Sequence, residues 1–277
     1  MNRIRAGGCG VPNPFNPRQV AQVSLRPEDV DVIVFWTRYP RPLLSYLDEL
    51  DARGYRYYVQ VTLLDYPRLL DARVPPSDIV VRACRELAAR IGPERLIWRY
   101  DPIVLSSLTD AAYHRRAFER IAAALHAATR RCVVSLADAY RKTARRWQML
   151  AAQGVTLYDA AAAEEAIQAL MPDLVSIATG HGIEMVSCAE TVDLQRFGVR
   201  PGKCIDDDLI WRLFGIAVDG RKDLAQREAC GCVVSKDIGM YDSCTFGCAY
   251  CYAVSDFERA RRNRLRHDPA GPSLLPS

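Results

Sequence analysis

A chain of 277 residues can bury one large core and need not divide into two domains, and its 49% hydrophobic and 25% charged residues are those of an ordinary soluble globular protein. A net charge of +4 admits an anionic substrate but does not by itself indicate nucleic acid. No run approaches about eighteen consecutive apolar residues, and the N-terminal Met1-Asn-Arg-Ile-Arg has no apolar leader core, so neither a membrane span nor a secretory signal is expected. The expected location is the cytoplasm, where disulfides are rare, and the ten cysteines read as metal ligands plus a few buried thiols.

Residues 7–19 are rich in glycine and proline, so residues 1–29 are expected to be a loop segment or a partly free end. Val30 to Trp36 is a continuous apolar run, the pattern of a strand buried on both faces, which Thr37-Arg38-Tyr39-Pro40 stops. Leu43, Leu44, Leu47 and Leu50 recur at helical spacing over 41–53, and Gly54 is a C-terminal stop. A second strand is predicted at 57–64, and Pro75, Pro76 and Ser77 open a helix reaching Ile91. The third strand, 95–100, ends at Asp101-Pro102. A helix over 110–129 leads to a fourth strand at 132–136. After the basic segment Arg141 to Arg146, an alanine-rich helix runs from 159 to 179 with a kink expected at Pro172, and a fifth strand follows at 182–188. The four residues from Cys232 to Ser235 are expected to form a last strand and 253–266 a last helix. That makes 30–266 one domain and 267–277 a flexible tail.

Strands alternating with helices imply right-handed βαβ units around a parallel sheet, an α/β fold of partial or closed (β/α) barrel type. Function in such folds sits where strands run out into the loops before the helices. Those ends carry Thr37, Arg38, Thr62, Arg99, Asp101, Ser135, Asp138, Cys188 and Glu190. The plainer reading makes some of them helix caps or loop-ordering links.

The most specific stretch is Cys244-x3-Cys248-x2-Cys251, with Tyr250 before the last cysteine. Three thiols so spaced on a glycine-containing loop can close around one face of a [4Fe-4S] cube and leave its fourth iron free of protein ligands. Zinc also takes three or four cysteines, but zinc ribbons usually pair two Cys-x2-Cys knuckles. The motif resembles the signature of the radical S-adenosylmethionine (SAM) superfamily. That resemblance implies SAM chelated at the open iron, an external electron donor such as flavodoxin or ferredoxin, and a 5′-deoxyadenosyl radical. Tyr250, Thr37, Arg99, Asp101 and Ser135 would then position SAM. The superfamily ordinarily places this loop after the first strand, whereas here it follows five βα units, so the resemblance implies a circularly permuted barrel. The blocks 11–17, 30–37, 98–103, 202–206 and 230–253 resemble the bacterial family called domain of unknown function 1848, which brings no established reaction with it.

Of the other cysteines, Cys84 and Cys132 fall in apolar patterns and read as packing residues. Cys188, Cys204, Cys230 and Cys232 are the expected ligands of a second [4Fe-4S] cluster, with Cys9 in reserve. Against this stands a small zinc site or free thiols at Cys230 and Cys232. Four-cysteine ligation favours an electron relay over a substrate anchor or a sulfur donor. The expected substrate is a small molecule such as a nucleoside or sugar. Radical modification or repair of nucleic acid, using the basic run Arg259 to His267, and a non-catalytic zinc or iron-sulfur module are the alternatives. His114, His126, His181 and His267 have no partner at ligand spacing and are expected on the surface, and neither a Walker loop nor Gly-x-Gly-x-x-Gly is present.

Overall fold

The computed structural model describes residues 1–13, 16–137 and 141–275, so Asp138 and residues 14–15 of the first family block lie outside the described residues. A short helix, α1 (Asn2–Arg5), leads into an antiparallel hairpin of β1 (Gly8–Asn13) and β2 (Asn16–Ser24) where a loop or free end was expected. A two-stranded ribbon has only edge strands, so Pro12, opposite Val20, removes no interior ladder bond. Contacts with the far end of the chain hold the ribbon. Gly10 N–H donates to Pro272 O at 2.8 Å, and the buried Arg3 guanidinium donates to the carbonyls of Asp268, Pro269 and Ser273. The described part of the tail is therefore fastened to the N-terminus, which corrects the expectation of a flexible end.

The main sheet has six parallel strands whose spatial order follows the sequence: β3 (Ile33–Thr37), β4 (Tyr57–Thr62), β5 (Leu96–Ile103), β6 (Arg131–Leu136), β7 (Glu184–Cys188) and β8 (Arg200–Gly202). The crossovers are α2 (Arg41–Leu44) and α3 (Leu47–Ala52), then α4 (Ser77–Ile91), α5 (Ala111–Ala124), α6 (Arg141–Ala151) and α7 (Ala160–Gly180). The expected helix over 41–53 is thus two pieces, and the basic segment from Arg141 is itself helical. α8 (Asp207–Phe214) and α9 (Phe257–Arg266) follow the sheet.

Alternation along the strands sends side chains to two cores. Tyr57, Val59, Val61, Leu96, Trp98, Tyr100, Cys132 and Val134 pack in the large core with Leu87, Phe118 and Leu174 of the crossover helices. Tyr58, Ile97, Val133 and Val186 face the other way and are covered by Leu209 and Ile210 of α8. The sheet is open. Among the described residues its edges β3 and β8 are not paired with each other.

Residues 232–235 are not a strand. Only an isolated bridge joins Val233 to Lys222, and the sixth strand comes from Arg200–Gly202. Arg-Pro-Gly reads as a turn, yet Pro201 is tolerated on an edge strand. Gly202 is required there by a close approach, because a Cβ would lie 2.7 Å from Val186 Cγ2 and 2.8 Å from Ser187 O. His114, expected on the surface, is a further correction. It is fully buried, with its ring nitrogens 2.8 Å from the Tyr100 hydroxyl and 2.9 Å from Val104 O. No described helix is long and apolar enough to cross a membrane.

Candidate functional site

Because every strand of the main sheet runs the same way, all their carboxyl ends meet at one rim, and both groups of thiols lie there. The first is the loop from Cys244 to Cys251. Ala249 N–H donates to Leu70 O at 2.8 Å, Arg73 N–H donates to Phe246 O at 2.9 Å, and Cys248 bridges Asp71. These bonds clip the loop to the segment after β4, and Gly247, at φ +75°, supplies its left-handed bend.

Tyr250 anchors the loop from beneath. Its hydroxyl donates to Asp71 Oδ1 at 2.7 Å and accepts from Arg38 Nη1, while its ring meets Tyr66 edge-on at 5.6 Å. Arg38 closes the triangle through Asp71 Oδ2 at 2.6 Å. Arg38 stands just after β3, where the Thr37 hydroxyl both accepts from Tyr39 N–H and donates to Tyr39 O, each at 3.0 Å. From the other side Arg146 of α6 donates to the carbonyls of Cys251 and Val254.

The second group is Cys188 at the end of β7, Cys204 just after β8, and Cys230 and Cys232 from the long following loop, which form one buried cluster. Cys188 and Cys204 sulfurs lie 3.0 Å apart, and Cys232 Sγ accepts from the N–H groups of Cys204 and Ile205 at 3.2 and 3.4 Å. Cys9 is not among them; it is buried on β1 in the main core. Arg99 Nη1 donates to Cys204 Sγ at 2.9 Å and to Gln60 Oε1 at 2.7 Å, and its Nε donates to Asp101 Oδ2 at 3.0 Å. Ser135 Oγ donates to the other Asp101 oxygen. Tyr58 and Gln60 both donate to Cys204 O.

Residues 1–253 match the family model described as Domain of unknown function (DUF1848). The chain belongs to this DUF1848 family. Both thiol groups fall inside the matched span. No curated protein and no solved structure matches the chain.

Of the residues expected to position a cofactor in this DUF1848 chain, Arg99, Asp101 and Ser135 come together as the support of Cys204, Tyr250 belongs to the first group, and Thr37 bonds the Tyr39 backbone at the end of β3. Glu190 orders its own loop by accepting from Leu136, Thr191 and Val192 N–H groups. Tyr252, directly after Cys251, lies within electrostatic reach of Asp101 and Arg99 of the second group. Partial burial, Tyr241 and Asp101 push its hydroxyl up to about 12, with Arg99 opposing. Asp71, Gln60 and Arg146 have no signal in the sequence, because their roles depend on contacts across the rim.

Each thiol group is built around buried cationic nitrogen. Burial raises Cys248 and Cys244, and Arg38 opposes both. Burial pulls Arg38 down, but Tyr250, Asp71 and Cys248 outweigh it and hold the guanidinium above its ordinary value. Burial lowers Arg146 against Cys251 and Cys248. In the second group the hydrogen bond with Cys204 raises Cys188, as does burial. The bond with Cys188 pulls Cys204 down, but its bond with Cys232 and burial carry it up to about 11. The bond with Cys204 brings Cys232 below the usual thiol range, which favours a thiolate.

The donor set fits iron-sulfur ligation. Ligands must be thiolates, and an arginine beside each group offsets their charge in a buried site. Arg38 Nε and Arg146 Nε at the first group are buried without a hydrogen-bond partner, as is Arg3 Nε at the N-terminus. A single zinc ion draws its sulfurs to about 3.8 Å from one another, given bonds of about 2.3 Å. Among the described residues the only three Cys, His, Asp or Glu ligand atoms all within 4.8 Å of one another belong to Asp206, Asp207 and Asp208. Asp206 already caps α8 and pairs with Arg131, and Asp207 pairs with Lys203.

Proposed function

We propose that this DUF1848 chain is a radical SAM enzyme acting on a small molecule, built on a partial, circularly permuted (β/α) barrel whose cluster loop arrives from the C-terminal end. The observation that carries the reading is the loop of Cys244, Cys248 and Cys251. It is pinned at the carboxyl rim by Tyr250 and Asp71 and flanked by the guanidinium groups of Arg38 and of the half-buried Arg146. A [4Fe-4S] cluster held by those thiolates would supply one electron to the sulfonium of bound SAM, yielding methionine and the 5′-deoxyadenosyl radical that takes hydrogen from the substrate.

The chain's own work is to hold, orient and dry the site. Arg38 and Arg146 offset thiolate charge at the loop. Asp71 and Tyr250 fix Arg38, so the loop is ordered before any ligand arrives. Cys188, Cys204, Cys230 and Cys232 are assigned to a second [4Fe-4S] cluster that relays electrons, because four cysteines leave no iron open. Tyr252, next to Cys251, feels the charges of Asp101 and Arg99 at the second group, and this reading assigns it to the ground between the two.

Anaerobic reconstitution followed by iron, sulfide and zinc analysis tests the assignment. The expected result is a brown protein with about eight irons per chain that forms 5′-deoxyadenosine from SAM and dithionite. Cys248→Ala should abolish that product with the far-ultraviolet circular dichroism unchanged. Colourless zinc protein forming no 5′-deoxyadenosine would refute the proposal.

A further inference from the structure

A strongly basic surface of the molecule is α9, Phe257–Arg266, with five arginines against one glutamate, an excess equal to the +4 of the whole chain. The rest of the chain sums to zero, although α6 also carries four basic residues and no acidic one, and α9 is a ten-residue basic helix about 15 Å long that meets α6 through Arg146 and Phe257. Asp256 caps the helix by accepting from Arg259 N–H at 2.7 Å. Ala260 is its buried contact, while Arg259, Arg262, Arg264 and Arg266 are exposed beside Leu265, which is 86% exposed.

What distinguishes α9 from an ordinary solvated helix is its seat. Asn263 Nδ2 donates to Asp242 O at 2.9 Å and Arg259 lies 3.7 Å from the Asp242 carboxylate, two residues before Cys244. At the other end Arg146 lies over the Phe257 ring, 5.1 Å from its centroid, while holding the carbonyls of Cys251 and Val254. The helix thus braces both ends of the cysteine loop and turns Arg259, Arg262, Arg264 and Arg266 to solvent.

We infer that α9 is the docking surface for an acidic one-electron carrier protein of the flavodoxin or ferredoxin class, which delivers the electron to the loop of Cys244, Cys248 and Cys251. The inference rests on the radical reading of that loop. Charge complementarity selects the occupant. Duplex DNA carries one charge per about 1.7 Å of axis and engages a longer basic track, whereas a compact acidic protein face matches one short helix set against the redox site.

The test uses the iron-loaded full chain and the triple variant Arg262→Glu/Arg264→Glu/Arg266→Glu, none of which touches the thiols. With reduced flavodoxin as donor, the variant should show a donor KM raised at least about tenfold, and raising the salt should weaken the wild-type protein toward it. Its dithionite-driven 5′-deoxyadenosine formation should match wild type. An unchanged donor KM overturns the inference, as does loss of oligonucleotide binding with carrier affinity intact. If wild type forms no 5′-deoxyadenosine with dithionite, the radical reading itself fails. Calorimetric titration with flavodoxin then decides the docking surface separately, and equal affinity for both proteins overturns it. Arg264→Glu alone serves should the triple variant not fold.

Discussion

Replacing Arg38 with methionine isolates the anchor beneath the cysteine loop. The guanidinium lies 2.6 Å from Asp71 with side-chain exposures of 13% and 4%, and it also donates to the Tyr250 hydroxyl. An exposed ion pair would be worth about 0–1 kcal/mol. At this burial, removing one partner leaves a carboxylate without its counter-charge, and the expected loss is about 3–5 kcal/mol. Asp71→Asn alone should cost a comparable amount, since it leaves the arginine unpaired. The double variant replaces the pair by neutral groups and should recover about 2–3 kcal/mol relative to the sum of the singles, the coupling expected of residues in direct contact. Urea denaturation of all four proteins, followed by circular dichroism, measures the cycle. A single-variant loss below about 1 kcal/mol, or strict additivity, would refute the view that this pair fixes the loop.

His114 gives a pH prediction. Burial depresses its imidazole to about 4 from the ordinary 6.5, against the bond to Val104 O. The unfolded chain therefore takes up the proton first, so stability is fully present above pH 6.5 and falls by about 3 kcal/mol as pH drops toward 4, and His114→Gln should flatten that part of the curve. Gly202→Ala should cost about 1–3 kcal/mol, read from the denaturation midpoint, because its methyl group would press on Val186 and the Ser187 carbonyl. Cys230→Ala should lower reconstituted iron by about four atoms per chain, and unchanged iron would return this cysteine to a structural role.

Local patterns determined much of this protein. The apolar strands, the α4, α5 and α7 helices and the parallel order follow from periodicity over a few residues, and the Cys244–Cys251 spacing lies within one loop. Cys84 and Cys132 were legible as packing residues from their apolar neighbours. Tertiary structure decided the rest. The hairpin β1–β2 contradicts its own glycine and proline content because the tail carbonyls and Arg3 hold it. The strand Arg200–Gly202 forms at an edge that tolerates proline, and the expected strand at 232–235 gives way to sulfur and backbone bonds around Cys204. His114 is buried by aromatic rings brought from three elements. The gathering of Cys188, Cys204, Cys230 and Cys232, and the choice of Arg38, Asp71 and Arg146 as partners of the loop, depend on which strand ends meet at the rim. Such contacts join residues far apart in the chain, and no local spacing encodes them.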